Sequence, residues 1–131
     1  MKITSIELGI LNVPLKTPFK TALRSVDHVE DVIVQIRTDD GATGWGGAPA
    51  TAVITGDTHG SIVDAIRHYI APRLVGRDIA ELNRNVAMVQ SALERNTSAK
   101  AAVEIALYDL WAQLHGAPLY QMLGGGDPVI T

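Results

Sequence analysis

The residue composition of the chain changes once, near residue 56, and this change limits the possible folds more than any other feature. Before it, Ile, Val, Thr and Gly are abundant; after it, Ala, Leu, Arg and Gln dominate. The first set favours strands and the second favours helices, so the pattern predicts a β-rich half followed by an α-rich half. With 131 residues the chain fits one domain, and we expect an α+β fold whose helices cover one face of a small sheet.

Three strands are predicted in the first half, arranged as an antiparallel β-meander. Residues 2–15 alternate with slips, which indicates a long, bulged strand, while residues 29–38 alternate cleanly. Asp39-Asp40-Gly41 follows, and Asp-Gly is a strong hairpin signal. Residues 42–48 return as the third strand, and its glycines permit the close approach of another backbone or a ligand.

A bundle of three helices plus a short fourth is predicted in the second half. Apolar residues recur at helical spacing in 62–70, 82–93 and 97–114, and residues 119–123 fit one more turn. The first stripe consists of Ile62, Ala65, Ile66, Tyr69 and Ile70. The other sides of the third helix are small, which suits close packing by neighbours, and its alanines there are Ala99, Ala101, Ala102 and Ala112.

Four boundary signals delimit these helices. Pro72 and Gly76 are expected to end the first helix, and Asp57 to cap its start. Asp78, three residues before Glu81, predicts a capping box at the start of the second helix. Gly116 followed by Pro118 predicts the end of the third, in the usual order of glycine and then proline.

Charge and composition exclude several classes of protein. The net charge is −3, so there is no basic surplus for a nucleic-acid backbone. The chain has no cysteine, which excludes a thiol nucleophile and thiolate metal sites. No apolar run approaches the roughly 20 residues that cross a bilayer, and the N-terminal residues do not resemble a signal peptide. We therefore expect a cytoplasmic protein without nucleic-acid or membrane partners.

No catalytic or metal-binding group is evident from residue spacing. The histidines His28, His59, His68 and His115 are scattered and form no metal-binding pair. Glu104 and Asp109 lie on different sides of the third helix, so they do not converge as an acid–base pair. The glycines between 44 and 47 lack the third glycine of a nucleotide-binding motif.

Two predicted loops are the more informative segments. Residues 16–28 join the first two strands, although a hairpin needs only two to five residues there. This segment contains Phe19, Lys20 and Arg24, which fit equally a functional loop and a solvated basic stripe. The second loop, residues 49–57, places the apolar residue Ile54 between turn residues, where it is either packed underneath or shaped to meet a ligand.

Taken together, these segments resemble the N-terminal capping domain of the enolase superfamily. The order of strand, long loop, strand, Asp-Gly turn, Gly-Trp-Gly-x-Ala-Pro and the helical motif of residues 99–125 is similar to the muconate-lactonising subgroup. Pro18 to Arg24, with residues 54–57, is most similar to the dipeptide epimerases that act on L-Ala-D/L-Glu. The resemblance covers residues 1–125, and it implies that residues 126–131 begin a linker toward a (β/α) barrel.

The resemblance also implies roles for three residues. In this family the two loops close over the substrate at the mouth of the barrel. Arg24 would pair with the side-chain carboxylate of a dipeptide, because a guanidinium offers a planar fork matched to that group. Phe19 and Ile54 would form an apolar wall that excludes water and strengthens the pair, although both residues also fit a role as ordinary loop anchors.

The resemblance assigns no catalytic residue to this chain. The family performs 1,1-proton transfer with lysines and Mg²⁺ ligands on the barrel strands, so Mg²⁺ is implied only where a barrel is present. The chain is accordingly expected to be inactive alone, although its full-length relatives are isomerases. One departure stands out, because Gly47 occupies the position where the family usually has Glu.

Two alternatives remain open at this stage. The first is a cap for another substrate of the same subgroup, as in muconate cycloisomerase or o-succinylbenzoate synthase. The second is a free-standing, non-enzymatic module that binds a protein partner or associates with copies of itself through an uncovered apolar face.

Overall fold

The chain folds into a three-stranded antiparallel sheet followed by helices, which confirms the predicted fold class. The computed structural model describes residues 1–127 and 129. The sheet order is β1-β2-β3, with β1 at Ile3–Lys20, β2 at Ser25–Thr38 and β3 at Thr43–Pro49. Part of the expected linker, at positions 128, 130 and 131, lies outside the described residues.

The helices follow in the predicted order. They are α1 (His59–Asp64), α2 (Ala71–Leu74), α3 (Leu82–Ser91), α4 (Thr97–Leu114) and α5 (Leu119–Met122). A π-helical turn, Ala65–Ile70, joins α1 to α2, and a 3₁₀ turn, Ile79–Glu81, precedes α3. No helix in the described part of the chain is long and apolar enough to cross a membrane.

One face of the sheet supplies the core. Val32, Val34 and Ile36 alternate along β2 and are fully buried under the helices. Their neighbours Ile33 and Gln35 are only partly buried, because successive side chains of a strand point to opposite faces. The helices contribute Ile62, Ile66, Ile70, Leu74, Val103, Leu107 and Leu110 to the same core.

Two glycines let α4 lie directly against β3. A Cβ atom added at Gly46 would overlap the carbonyl oxygen of Ala102, and one added at Gly44 would overlap that of Ala106. The helix backbone therefore occupies the space that side chains would take on any other strand. This contact confirms the predicted close approach of another backbone, and Ala102 is one of the alanines expected to allow it.

The first helix differs from its predicted boundaries and face. It continues past Pro72 to Leu74, because Ala71 N–H donates to the Ile66 carbonyl five residues back and Pro72 opens the next turn, where no N–H is needed. Gly76, with a φ of 90°, follows its end as predicted. The wider turn rotates Tyr69 out of the apolar stripe, and its side chain is 50% exposed.

Two capping assignments also differ from the prediction. The cap of α1 is Thr58, not Asp57, and it forms a reciprocal capping box with Ser61. Asp78 caps the 3₁₀ turn by accepting from Ala80 N–H, but Glu81 does not reach back to complete the box. The end of α4 is as expected, since Gly116 adopts a φ of 66° and Ala117 N–H returns to the Ala112 carbonyl.

The helix–strand contact makes a prediction about stability. We expect Gly46→Ala to lower the free energy of unfolding by at least about 2 kcal/mol, because backbone atoms of α4 must move to admit the methyl group. Urea unfolding followed by circular dichroism measures the change.

Gly47→Ala is the matched control on the same strand. A Cβ atom at Gly47 lies 3.3 Å from Ile33 Cδ1, the far end of a flexible side chain. We expect a change within about 0.5 kcal/mol, and equal destabilisation by the two variants would contradict the proposed contact.

Candidate functional site

Residues 16–28 form the end of a long hairpin and not the predicted loop. β1 extends to Lys20 and β2 begins at Ser25, so only residues 21–24 remain outside the strands. Since β3 pairs only with residues 31–37, the hairpin from residue 12 to residue 30 projects beyond the three-stranded sheet. We call residues 12–30 the finger.

A large bulge explains why the sequence of the finger does not read as a strand. Pro14 is paired with His28 and Phe19 with Val26, so residues 15–18 lie opposite Asp27 alone. Such a bulge leaves its extra residues outside the ladder of hydrogen bonds. Pro18 fits there because it has no N–H to donate, although a proline and neighbouring lysines are typical of a loop in a sequence.

The tip of the finger is closed by Thr21. Its N–H donates to the Arg24 carbonyl at 2.7 Å, and its hydroxyl oxygen accepts from the N–H groups of Leu23 and Arg24 at 3.3 and 3.2 Å. These bonds fix the backbone on both sides of Arg24, so the start of that side chain has a defined direction.

Phe19 and Arg24 line the same cleft, which lies between the finger and the end of β3. Its volume is about 570 Å³, and its walls include Leu15, Phe19, Arg24, Asp27, Glu30 and Pro49. The Phe19 side chain is 57% exposed. Arg24 is half-buried, and its Nε atom is buried with no hydrogen-bond partner among the described residues.

Two of the three carboxylates in the cleft have partners. His28 Nδ1 lies 2.6 Å from an Asp27 carboxylate oxygen, and this hydrogen bond, followed by the attraction of the imidazole charge, lowers the pKa of Asp27 from its usual value. The Glu30 carboxylate accepts from the Asn12 amide at 3.3 Å and lies 3.9 Å from His59 Nε2. Asp31 is the third carboxylate of the cleft.

Ile54 lies in a separate turn and does not line this cleft. Its N–H donates to the Thr51 carbonyl at 2.9 Å, and Gly56 provides the positive φ that ends the turn. The Ile54 side chain is 53% exposed. The structure thus brings Phe19 and Arg24 together, while Ile54 projects from a second, separately ordered turn.

Two further residues connect this second turn to the rest of the chain. The buried carboxylate of Asp57 accepts from Ser98 N–H at the start of α4, at 3.3 Å. His59 Nε2 lies 3.2 Å from the Glu30 carbonyl at the base of the finger. Sequence reasoning assigned Asp57 to a cap of α1 and gave His59 no partner, because both contacts join segments that are distant along the chain.

The described residues do not fit a Mg²⁺ site. Among residues 1–127 and 129, no three His, Asp or Glu side chains are grouped so that they could hold a metal ion. Gly47, where the family usually has Glu, lies on the sheet face away from the helices, next to Ile33.

Comparison with known proteins gives consistent matches. The family described as the mandelate racemase / muconate lactonizing enzyme, N-terminal domain, matches residues 5–124. The L-Ala-D/L-Glu epimerase of Bacillus subtilis is 56% identical over 125 residues, which are 95% of this chain and 34% of that protein. The L-Ala-D/L-Glu epimerase of Clostridium acetobutylicum is 52% identical, over 95% of this chain and 35% of that protein.

Solved structures agree with these matches. A substrate-liganded complex of the Bacillus subtilis epimerase superposes with a TM-score of 0.93, over 95% of this chain and 35% of that one. A dipeptide epimerase from Methylococcus capsulatus, complexed with Mg and L-Arg-D-Lys, is 38% identical with a TM-score of 0.85, again over 95% of this chain and 35% of that one. The chain therefore spans about a third of the length of these relatives.

The Asp27–His28 pair makes a prediction about pH. We expect His28→Ala to raise the pKa of Asp27 toward 3.8, because the hydrogen bond and the charge that favour its ionised form are lost. In the native chain the pair stabilises the fold above the pKa of unfolded Asp27, and that contribution is lost as the pH falls through the lowered value. NMR titration of the side-chain carboxyl carbons measures the pKa of Asp27 in the native chain and in the variant.

Asp40 provides the internal control. The Thr38 hydroxyl and then the Ala42 N–H lower its pKa by hydrogen bonds that do not involve His28. The Asp40 titration should stay in place in the variant, and an unchanged Asp27 titration would show that His28 does not control it.

Proposed function

Because the chain belongs to the mandelate racemase / muconate lactonizing enzyme N-terminal domain family, we propose that it is the substrate-capping and specificity domain of a dipeptide epimerase of the L-Ala-D/L-Glu type. In this proposal residues 1–125 are the capping domain and residues 126–131 begin the connection toward a catalytic barrel. The observation that carries it is the unpartnered Nε of Arg24 in the cleft of the finger.

Arg24 has the properties of a carboxylate-binding group. A buried donor without a partner costs about 1–3 kcal/mol, and an incoming carboxylate removes that cost by accepting its hydrogen bond. The guanidinium also presents donors in a plane, so it suits a two-oxygen anion better than a single-point acceptor. We therefore assign Arg24 to the side-chain carboxylate of a Glu residue in the dipeptide.

The neighbouring acidic residues leave the guanidinium without an ion-pair partner. Asp27 is bonded to His28, and Glu30 is bonded to the Asn12 amide. Neither carboxylate forms an ion pair with Arg24 among the described residues. An anionic ligand therefore does not have to displace an existing partner of the guanidinium.

Phe19 and Ile54 are proposed as the apolar wall around this ion pair. Both side chains are more than half exposed, Phe19 in the cleft and Ile54 on the neighbouring turn. Closure of these two segments over a substrate removes water from the ion pair, and a charge pair is stronger where water is excluded. The contact of His59 with the Glu30 carbonyl joins the end of the second segment to the base of the finger.

The chain itself contributes binding and exclusion of water, and the proton transfer belongs to the barrel that the family resemblance implies. No Mg²⁺-dependent step is assigned to these residues, because the described part of the chain offers no ligand group for the ion. Specificity for a Glu-containing dipeptide is thus separated in the fold from the groups that move the proton.

A hybrid enzyme tests the role of Arg24. Residues 1–125 of this chain replace the matched segment of the Bacillus subtilis epimerase, and Arg24→Met is introduced. We expect kcat/KM for L-Ala-L-Glu to fall about 100-fold, because a desolvated ion pair is lost. Epimerisation of a dipeptide without a side-chain carboxylate, such as L-Ala-L-Leu, should change little.

Lys20→Met is the matched control, since it removes one positive charge from the same finger outside the cleft. It should leave kcat/KM for L-Ala-L-Glu within about twofold. If Arg24→Met leaves kcat/KM for L-Ala-L-Glu unchanged, the assignment is contradicted. That result would favour a cap for another substrate of the subgroup, such as muconate.

The separation of binding from proton transfer makes a second prediction. The 131-residue chain should not exchange the α-proton of L-Ala-L-Glu in D₂O, because its described residues form no group that could hold a metal ion and the proposal places the proton-transferring lysines on the barrel. Proton NMR of the dipeptide over several days measures the exchange. The hybrid enzyme is the positive control, and exchange by the chain alone would refute the proposed division of roles.

A further inference from the structure

The two edges of the sheet differ in how their backbone groups are satisfied. At the β3 edge, Trp45 N–H donates to the Asp109 carboxylate at 2.9 Å, and the Gln113 side chain donates to the Thr43 carbonyl at 2.9 Å. Both side chains belong to α4, so the helix covers this edge at residues 43–45. A covered edge cannot pair with another strand.

The β1 edge is covered only at its start. Ile3 exchanges backbone hydrogen bonds with Arg77 and Gly76, at 2.9 and 2.8 Å. From residue 5 to residue 14, β1 pairs with β2 on one side, and no described residue bonds to its backbone on the other. The side chains of Ile10, Leu11 and Val13 are 43–56% exposed along this stretch.

Natural proteins usually protect such an edge with lysine, proline or an unpaired charge, and residues 5–14 of β1 contain only one of these, Pro14 at the end of the stretch. Its only charged residue there is Glu7, and Arg37 of the neighbouring strand neutralises it at 3.1 Å. A second copy of the same strand would therefore meet no like charge. The sequence thus permits pairing of β1 with itself.

We propose that β1 pairs antiparallel with β1 of a second copy of this chain, which joins the two sheets into one of six strands. The regular part of β1 lies between the irregularity at Ile3/Ser5 and the bulge after Pro14, and its midpoint is Gly9. A twofold axis at Gly9 places Leu8 opposite Ile10 of the partner. Side chains on one face of the sheet then continue onto the same face of the partner's sheet. The exposed Ile10 side chain is then covered by an apolar neighbour. The inference is independent of the catalytic proposal.

Sedimentation velocity of the full 131-residue chain tests the pairing. We expect a reversible dimer of twice 14.0 kDa. Ile10→Lys should raise its dissociation constant about tenfold or more, because the twofold axis at Gly9 places each lysine opposite the apolar Leu8 of the partner copy. Ile105→Lys is the matched control, since Ile105 is the same residue type with a similar exposure but lies on α4; it should leave the dissociation constant unchanged.

A single cysteine tests the register. The chain has no cysteine, and a Cβ atom at Gly9 meets nothing within 4 Å, so Gly9→Cys is accommodated. Under mild oxidation this variant should form a covalent dimer, because the two copies of residue 9 face each other across the axis. A matched cysteine at the exposed tip, Leu23→Cys, should cross-link poorly.

Four results would overturn the proposal. They are a monomer at every concentration, a dimer that Ile10→Lys does not weaken, a dimer that Ile105→Lys weakens equally, and a Gly9→Cys dimer that cross-links no better than Leu23→Cys. The last would mean that the copies associate in another register or through another surface.

Discussion

The close contact between α4 and β3 is the constraint on which the rest of the structure depends. Gly44 and Gly46 have no side chains between the strand and the carbonyl groups of Ala106 and Ala102, so the helix lies at the surface of the sheet backbone. Because interiors are close-packed, this spacing determines which side chains fill the remaining volume. Val32, Val34 and Ile36 on the adjacent strand then complete the core with Val103, Leu107 and Leu110.

The same contact gives the sheet its asymmetry. With α4 so near, Asp109 and Gln113 reach the outer edge of β3 and satisfy its backbone at Trp45 and Thr43. Among the described residues no helix lies correspondingly close to the other edge, where β1 runs on beyond the sheet with β2 to form the finger. The sheet and its packed helices therefore hold the finger at one end, and the cleft with Phe19 and Arg24 lies along the finger.

Sequence patterns predicted the elements whose signals are local. The alternation of residues 29–38, the Asp-Gly turn and the ends of α4 all follow from neighbouring residues, and all are confirmed. The finger was missed because Pro18 and the lysines around it are typical of a loop, whereas a bulge removes the need for their backbone bonds. The π-helical turn was missed for a similar reason, since Pro72 alone predicts a helix end.

The candidate site was predictable only in part. Phe19 and Arg24 were singled out from the extra length of their segment, and they share one cleft. Their proposed roles still come from the family resemblance, and the assignment of Ile54 rests on that resemblance alone. The contacts of Asp57 with Ser98 and of His59 with Glu30 join residues far apart along the chain, so no local pattern signals them.

The bulge at residues 15–18 has a consequence for how such a domain can diverge. Because these residues face Asp27 alone, gain or loss of one residue there alters the reach of the tip without shifting the pairs from Pro14–His28 inward. The reach of the tip is thereby decoupled from the register of the sheet. A lineage can vary the depth of the cleft by small insertions while the folded layer beneath stays the same.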